Sequence, residues 1–229
     1  MQIESDPELR KAALAAFATE YGMVEQRPGM HQSELTYCLT KSYWTRTDPE
    51  PPTEQQVLLF AIGFGMERVI LERGHEAALE VDGIVLSLDS INQFPLPIDL
   101  KTTRMAAKGR KDAGGFQFPD GWKRQMMAYR YGLNRNSFYD YELSFGVVVL
   151  HLVEPEVTAW RMTFTQEELE DNWAWILTRR DQLDSMLAGH NPMPFLWNSE
   201  WECKNCTYLV RCQLYTSLPN ENVRHIYGT

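Results

Sequence analysis

The order of the periodic segments restricts the fold of this chain more than any other feature of its sequence. Residues 77–88 and 98–102 have the apolar pattern of strands, a helical segment over 121–132 follows, and two further strands are expected over 143–153 and 156–164. Strands that are separated by one crossing helix and flanked by other helices are typical of α/β folds. The sequence therefore predicts a single α/β domain.

Helices are expected before and after these strands in the sequence. They cover 5–21, 33–44, 53–73 and 165–188, and capping boxes that begin at Ser5, Thr53 and Thr165 are expected to open three of them. The last part of the chain, 191–229, lacks such a period. We therefore expect one domain over 1–229, composed of a helical N-terminal part (1–75), a core (76–190) and a cysteine-rich tail (191–229).

Composition identifies a chain that buries a core and does not cross a membrane. It is 44% hydrophobic, 12% aromatic and 23% charged, which excludes a disordered or fibrous protein. The longest apolar run, 57–66, is shorter than the roughly 20 residues that span a bilayer, and the N-terminus lacks an apolar export signal. We therefore expect a cytoplasmic protein of a bacterial, archaeal or phage-infected cell, with no membrane partner.

Charge is distributed unevenly along the chain. The net charge is −9, which argues against nucleic acid as a partner, but basic residues dominate 101–135. The candidate phosphate contacts in this stretch are Arg104, Lys108, Arg110, Lys111, Lys123 and Arg124. Phe116 and Phe118 beside the basic loop are candidates for stacking on a single strand. A focused anion site and a solvated basic loop are both consistent with this pattern.

Two carboxylates and a lysine form a candidate catalytic set. Asp99 and Lys101 are two residues apart, so on a strand their side chains project to the same face. Asp82 lies in an apolar stretch, where an unpaired carboxylate would be costly. Such residues on adjacent strands can hold Mg²⁺ or Mn²⁺ and assist the attack of water on a phosphodiester. A surface ion pair and a turn at Gly83 are the alternative interpretation.

A second pair lies on the crossing helix, where Gln125 and Tyr129 are four residues apart and share one face. Asp82, Asp99-x-Lys101 and Gln125-x-x-x-Tyr129, in this order, resemble the RecB-type branch of the PD-(D/E)XK nucleases. The resemblance implies a restriction-endonuclease-like core with a mixed central sheet flanked by helices. It also implies that the acids hold the catalytic metal and that the glutamine and tyrosine help to hold the DNA strand.

The same resemblance implies one more metal ligand, a histidine or glutamate on a helix before the first strand. Glu67 in the segment Gly63-Phe64-Gly65-Met66-Glu67 fits this place. His75, which lies nearer to the strand, is the alternative ligand.

Four cysteines point to a second metal site. Cys38 stands alone, whereas Cys203-x-x-Cys206-x₅-Cys212 lies in the tail. Disulfides are not expected in a cytoplasmic chain, and the clustering favours a Cys₄ site for zinc or iron–sulfur. The arrangement resembles the [4Fe–4S] site of CRISPR-associated RecB-like exonucleases and of the AddB nuclease domain. The resemblance implies a structural [4Fe–4S] cluster, with zinc as the alternative, that joins the tail to Cys38.

These features together predict a metal-dependent DNA nuclease, an exonuclease that acts on single-stranded ends. Glu67, Asp82 and Asp99 are the expected ligands of Mg²⁺ or Mn²⁺, and Lys101 serves the attacking water. The chain has no Walker-type motif, so any unwinding requires a helicase partner. The resemblance implies a role in CRISPR adaptation or in phage or host recombination and repair. The alternative function is a non-catalytic DNA-binding adaptor that guides an integrase or recombinase.

Overall fold

The computed structural model of the chain describes residues 5–21, 27–72, 77–107, 116–136, 143–189, 200–204 and 206–212. The helices are α1 (Pro7–Tyr21), α2 (Gln32–Thr36), α3 (Leu39–Thr47), α4 (Glu54–Ile70), α5 (Asp120–Arg135), α6 (Gln166–Leu187) and α7 (Glu200–Lys204). The strands are β1 (Met30–His31), β2 (Ala77–Val81), β3 (Ile84–Leu88), β4 (Ile98–Thr103), β5 (Ser144–His151) and β6 (Glu156–Thr163). The predicted α/β class is confirmed.

The described strands form two three-stranded sheets, each of mixed direction. In one sheet β3 pairs with β1 in parallel and with β2 in antiparallel orientation, and in the other β5 pairs with β4 in parallel and with β6 in antiparallel orientation. The sheets meet at one bridge, in which the amide of Ile98 donates to the carbonyl of Ser90 over 2.8 Å. The chain leaving β3 therefore lies beside the start of β4.

A tight turn divides the strand that was expected over 77–88. Asp82 and Gly83 both have positive φ angles, 52° and 75°, as in the type I′ turns that join the strands of a hairpin. Aspartate tolerates this conformation better than most residues, and glycine adopts it without a steric penalty. Asp82 is therefore exposed at the tip of a hairpin, and the expectation that it lies within a strand is wrong.

The main core lies between the sheets and the helices α5 and α6. Buried apolar side chains of these helices, such as Met126 and Ile176, belong to one cluster with Leu86 and Val147 of the strands. Gly132 of α5 allows the helix to approach β3 closely, because a Cβ atom at this position would overlap the side chain of Leu86. Helix α5 thereby places one face against the ends of the strands that form the candidate site.

Helix starts follow the sequence closely at two of the three predicted capping boxes. Thr53 with Gln56 and Thr165 with Glu168 exchange the expected reciprocal hydrogen bonds. At the start of α1 the cap is Asp6, one residue after the expected Ser5, and its carboxylate accepts the amides of the next turn at 3.0 Å. The acceptor differs because a carboxylate oxygen at this position reaches two free amides.

The helix expected over 33–44 is interrupted at Tyr37 and Cys38 and continues as α3. Arg179 of α6 donates hydrogen bonds to the carbonyls of Leu35 and Tyr37. These carbonyls satisfy a buried guanidinium, so the break depends on a contact with a helix far along the chain. The interruption leaves Cys38 at the N-cap of α3.

Helix α4 is much less buried than its apolar sequence suggests. All of α4 is described, and Val57 is its one buried residue. Helix α1 packs on it, with ion pairs of Arg10 to Glu54 and Arg68 to Glu20. No helix in the described part of the chain is both long and apolar enough to cross a membrane.

Candidate active site

A cleft of about 440 Å³ lies between α4, the start of α2, the ends of β3 and β4, and one face of α5. Its ionisable and amide side chains include Arg27, His31, Gln32, Glu67, Asp89, Asp99, Lys101, Gln125 and Tyr129. The structure thus brings together five of the residues that the sequence predicts for the site: Glu67, Asp99, Lys101, Gln125 and Tyr129. Asp82 does not line this cleft.

A chain of polar contacts connects β4 with α5 inside the cleft. Lys101 Nζ lies 2.7 Å from Asp99 Oδ2 and donates a hydrogen bond of 2.9 Å to Gln125 Oε1. Gln125 Nε2 in turn donates to the hydroxyl of Tyr129 over 2.7 Å. Alternation along β4 places Asp99 and Lys101 on one face, and the four-residue spacing on α5 does the same for Gln125 and Tyr129. The geometry fixes the direction of the Lys101 ammonium group.

Asp89 supplies the second carboxylate of the cleft, although the sequence interpretation does not include it. It follows β3 directly, and its Oδ2 accepts the amide of Leu100 over 2.7 Å. This hydrogen bond ties the end of β3 to β4 and directs Asp89 toward Asp99. A signal for it exists in the sequence, because Asp82-Gly83 is a typical hairpin dipeptide. Reading it as a turn shifts the search to the next acid, at the end of the second strand.

Asp82 has a different environment, at the far end of the same hairpin. Its carboxylate accepts a hydrogen bond of 2.8 Å from the indole of Trp173, and its carbonyl accepts one of 2.9 Å from Arg180. These contacts attach the hairpin to α6. The structure therefore gives Asp82 a packing contact and separates it from Asp99 by the length of β3.

Burial dominates the electrostatics of the two cleft carboxyls. It raises the pKa of Asp89 to about 7, and the neighbouring Asp99 contributes in the same direction while the Leu100 amide opposes it. Burial also raises the pKa of Asp99, against the effect of Lys101. Burial alone would lower the pKa of Lys101, but Asp99 and Tyr37 bring it above its ordinary value. The cleft thus holds a charged lysine beside two acids that lack a sufficient countercharge.

The chemistry of this donor set fits a divalent cation. Hard oxygen ligands are what Mg²⁺ and Mn²⁺ prefer, and acids with raised pKa values gain most from a nearby positive charge. Glu67 lines the cleft from α4 and contributes to the raised pKa of Asp89, which places it within electrostatic range of that acid. Among the described side chains, no group of three or more His, Cys, Asp and Glu residues is set in the arrangement of a metal site. The Asp99 carboxylate has the Lys101 ammonium group as its neighbour.

The predicted DNA-contacting residues that the structure describes do not line the cleft. Arg104 is exposed, and Lys123 pairs with Asp120 at 3.1 Å. Arg124 donates to Asn172 and lies 4.0 Å over the ring of Trp175. Lys108, Arg110, Lys111 and the alternative ligand His75 lie outside the described residues. Arg27, which the sequence interpretation does not include, is a cation of the cleft lining.

The predicted stacking residues Phe116 and Phe118 pack against other aromatic rings. Their centroids are 5.1 Å apart, and both contact Trp122 and Trp160. They join the β5–β6 sheet to the start of α5 and do not line the cleft.

The four cysteines, all of them described, form no disulfide, and each is of intermediate exposure. Burial is the main cause that raises the pKa of Cys203, Cys206 and Cys212, to about 11 for Cys212, and Cys38 contributes to each of these shifts. The structure therefore brings Cys38 into electrostatic range of the three tail thiols.

Polar and aromatic contacts hold the cysteine-containing tail against the segment that follows α3. Tyr208 accepts the amide of Glu50 at 3.0 Å, and Arg211 pairs with Asp48 and Glu50 at 2.8 Å each. Trp44 and Tyr208 form a small buried cluster, against which Cys206 and Cys212 pack. The tail thus returns to the N-terminal helices.

Two acids and a lysine lie at adjoining strand ends, and a glutamine–tyrosine pair lies beside them on the crossing helix. In an α/β domain this arrangement is the architecture of a metal-dependent nuclease. The sequence profile of the PD-(D/E)XK nuclease superfamily matches residues 2–213, and the chain belongs to this superfamily. Members of this superfamily generally use Mg²⁺ or Mn²⁺.

Several solved structures, including the following two, are similar to this chain. The crystal structure of SSO0001 has a TM-score of 0.55 and 16% identity, over 89% of this chain and 96% of that one. A candidate exonuclease from Eubacterium rectale has a TM-score of 0.40 and 14% identity, over the whole of both chains. None of the curated protein sequences matches the chain. The first similarity supports the fold.

Proposed function

We propose that the protein is a metal-dependent deoxyribonuclease that hydrolyses the ends of single-stranded DNA. The observation that carries the proposal is the convergence of Asp89, Asp99, Lys101 and Gln125 in one cleft. Membership of a nuclease superfamily supports phosphodiester hydrolysis. The resemblance of the motif order to RecB-type exonucleases supports action at DNA ends.

Asp89 and Asp99 are the proposed ligands of Mg²⁺ or Mn²⁺, and Glu67 on the facing wall is the third candidate. The bound metal supplies a Lewis acid that polarises the phosphate and lowers the pKa of a water molecule. The hydrogen bond from the Leu100 amide holds Asp89 in place, so this ligand is preorganised by the backbone of β4. The cost of burying two carboxylates is offset when the cation is bound.

Lys101 stabilises charge at the reacting phosphate. Its contact with Asp99 keeps it protonated, and Gln125 restricts where the ammonium group can point. Tyr129 accepts from the Gln125 amide and thereby fixes which end of that amide faces Lys101. A preoriented and mostly buried cation favours a transition state in which negative charge develops.

The cysteines extend this proposal to a structural [4Fe–4S] cluster, with zinc as the alternative. The spacing of Cys203, Cys206 and Cys212 and the effect of Cys38 on each of these thiols support the cluster. The protein would then act in the cytoplasm on DNA ends during CRISPR adaptation or during phage or host recombination and repair. An integrase or a helicase is the expected partner class.

Anaerobically purified protein, incubated with end-labelled single-stranded and duplex DNA in Mn²⁺, Mg²⁺ or EDTA, tests the proposal. We expect metal-dependent shortening of single strands that is lost in Asp99→Ala, and an absorption band at about 400 nm for iron–sulfur. Labels at the 5′ and 3′ ends give the polarity. Tight binding without hydrolysis under every metal would instead identify the protein as a DNA-binding adaptor.

A further inference from the structure

Helix α4 turns two exposed aromatic rings toward the cleft. Phe60 and Phe64 line it beside Leu59 and Glu67, and they are 43% and 50% exposed. Single exposed apolar residues are common on protein surfaces. Two neighbouring rings in the wall of a concave polar site are less common, because the open cleft leaves their apolar surface exposed to water. They indicate that the cleft receives a flat apolar group.

The spacing along α4 relates these rings to the carboxylates. Phe60, Phe64 and Glu67 occupy one face, since they are separated by four and three residues. At about 1.5 Å per residue, Phe64 and Phe60 lie about 4.5 Å and about 10.5 Å from Glu67 along the helix axis. Successive bases in a stacked strand are about 3.4 Å apart, so this face spans about three nucleotides.

The rings are held in place and face the strand that carries the acids. Tyr21 of α1 stacks on Phe64 with ring centroids 5.9 Å apart and ring planes at 8°. The ring centroids of Phe60 and Phe64 are 6.5 Å apart. Gly63 lies between Phe60 and Phe64 in the sequence and also lines the cleft, and a Cβ atom there would lie 3.8 Å from the Thr102 hydroxyl oxygen of β4. The aromatic face and β4 therefore border the same space.

We propose that Phe60 and Phe64 form a base-stacking subsite that selects unpaired nucleotides at the end of a DNA strand. This inference rests on the proposed nuclease function and names its substrate-recognition element. Sequence-independent single-strand binding combines cations for the phosphates with aromatic rings for the bases. The cleft has both, with Arg27 and Lys101 as the cations. Bases inside a duplex do not offer their faces, so the subsite favours single strands.

Phe17 provides a matched control for the two rings. It is also a helical phenylalanine and is 42% exposed, but it does not line the cleft. The test measures binding of a short oligothymidylate in EDTA by fluorescence anisotropy for wild type, Phe60→Ala, Phe64→Ala and Phe17→Ala. The same proteins are then measured on an oligonucleotide whose three terminal nucleotides are abasic.

We expect Phe60→Ala and Phe64→Ala each to weaken binding of the intact strand about fivefold or more, since each stacked base contributes substantially to binding. On the abasic strand these variants should bind as wild type does, and Phe17→Ala should leave both affinities unchanged. Phe60→Tyr retains the ring and should restore binding, which excludes a folding defect as the cause.

Equal losses on intact and abasic strands, or no loss on either, would overturn the subsite. A change in self-association on sedimentation without a change in DNA binding would overturn it as well and identify α4 as an interface between copies of the chain. The proposed hydrolysis is assessed separately. Wild-type protein that binds but never cleaves contradicts the nuclease proposal alone, whereas cleavage by wild type with unaltered binding in the variants contradicts the subsite alone.

Discussion

The carboxylate cleft and the cysteine region contain the two sets of candidate metal ligands, but the fold assembles them in different ways. Asp89 and Asp99 lie at the adjoining ends of β3 and β4, where the Leu100 amide donates to the Asp89 carboxylate and a backbone bridge joins Ser90 to Ile98. Cys206 and Cys212 lie on a tail that side chains such as Tyr208 attach to the N-terminal helices. The sheet therefore preforms the cleft, whereas side-chain contacts alone hold the cysteine region, and the proposed cluster would add a cross-link to them.

The two sets of candidate ligands also differ in how far they are ionised at neutral pH. Burial and Asp99 bring the pKa of Asp89 to about 7, so this carboxyl is partly ionised at neutral pH before a cation arrives. Burial and the neighbouring thiols bring the pKa of Cys212 to about 11, so metal binding there must displace protons. We therefore expect an exchangeable cation in the cleft and a cofactor that is bound together with folding at the cysteines.

The largest expected effect is on hydrolysis and comes from the cleft. Asp89→Asn removes a proposed metal ligand and should reduce kcat/KM at least about 100-fold, since even the outer partners of metal ligands contribute 10- to 100-fold. Asp82→Asn is the matched control, because asparagine tolerates the positive φ and keeps an acceptor for Trp173. It should retain full activity. Loss of activity in Asp82→Asn with retention in Asp89→Asn would reverse the assignment.

The next effect is on stability and comes from the cysteine region. Cys203→Ala should remove the visible absorption and several kcal/mol of stability, which for a chain of this length lowers Tm by about 10 °C or more. The exposed neighbour Lys204 provides the control, and Lys204→Ala should change neither quantity. Thermal unfolding of the anaerobic proteins, followed with the absorption spectrum, measures both. Wild-type Tm and colour in Cys203→Ala would show that the cysteines hold no structural metal.

Local patterns account for much of the fold and for part of the site. The spacings of Asp99 with Lys101 and of Gln125 with Tyr129 are sufficient to place each pair on one face, because alternation and helical period act within a few residues. The capping boxes at Thr53 and Thr165 are local in the same way.

What the sequence does not predict depends on contacts between distant segments. The break before Cys38 requires Arg179, and the place of Asp89 in the cleft requires the bridge between Ser90 and Ile98. The exposure of α4 likewise depends on distant contacts, since in the described part of the chain it packs mainly on α1 and β4. An apolar helix sequence alone gives no reason to expect that Val57 is its one buried residue.

The third expected effect is a pH dependence of stability that arises in the cleft. The folded pKa of Asp89 is about 7 against an ordinary value of 3.8, so between these values the folded protein holds a proton that the unfolded chain releases. Raising the pH through this window therefore lowers the free energy of unfolding of the metal-free protein. Asp99 and Lys101 from β4 and Glu67 from α4 act on the same carboxyl.

Because a cation replaces this proton, Mn²⁺ affinity should increase about tenfold per pH unit up to about pH 7 and then level off. Calorimetric titration with Mn²⁺ and thermal unfolding in EDTA, both as a function of pH, measure the two effects. Asp89→Asn should reduce the pH dependence of Tm in EDTA. An unchanged dependence in that variant would assign the titration to another group.

The smallest expected effects concern the side chains that orient Lys101. Gln125→Met keeps the size of the side chain but removes the acceptor for the ammonium group, and we expect kcat to decrease about tenfold while Mn²⁺ affinity changes little. Tyr129→Phe removes one hydrogen bond to the Gln125 amide and should reduce kcat about fivefold.

If the two residues act through Lys101 alone, their effects are not additive, so the double variant should resemble Gln125→Met. Single-turnover kinetics at saturating Mn²⁺ distinguishes this from a change in metal binding. If the two reductions in kcat multiply in the double variant, Tyr129 contacts the DNA strand directly. The preformed cleft would then extend beyond the ligands and Lys101 to a substrate contact on α5.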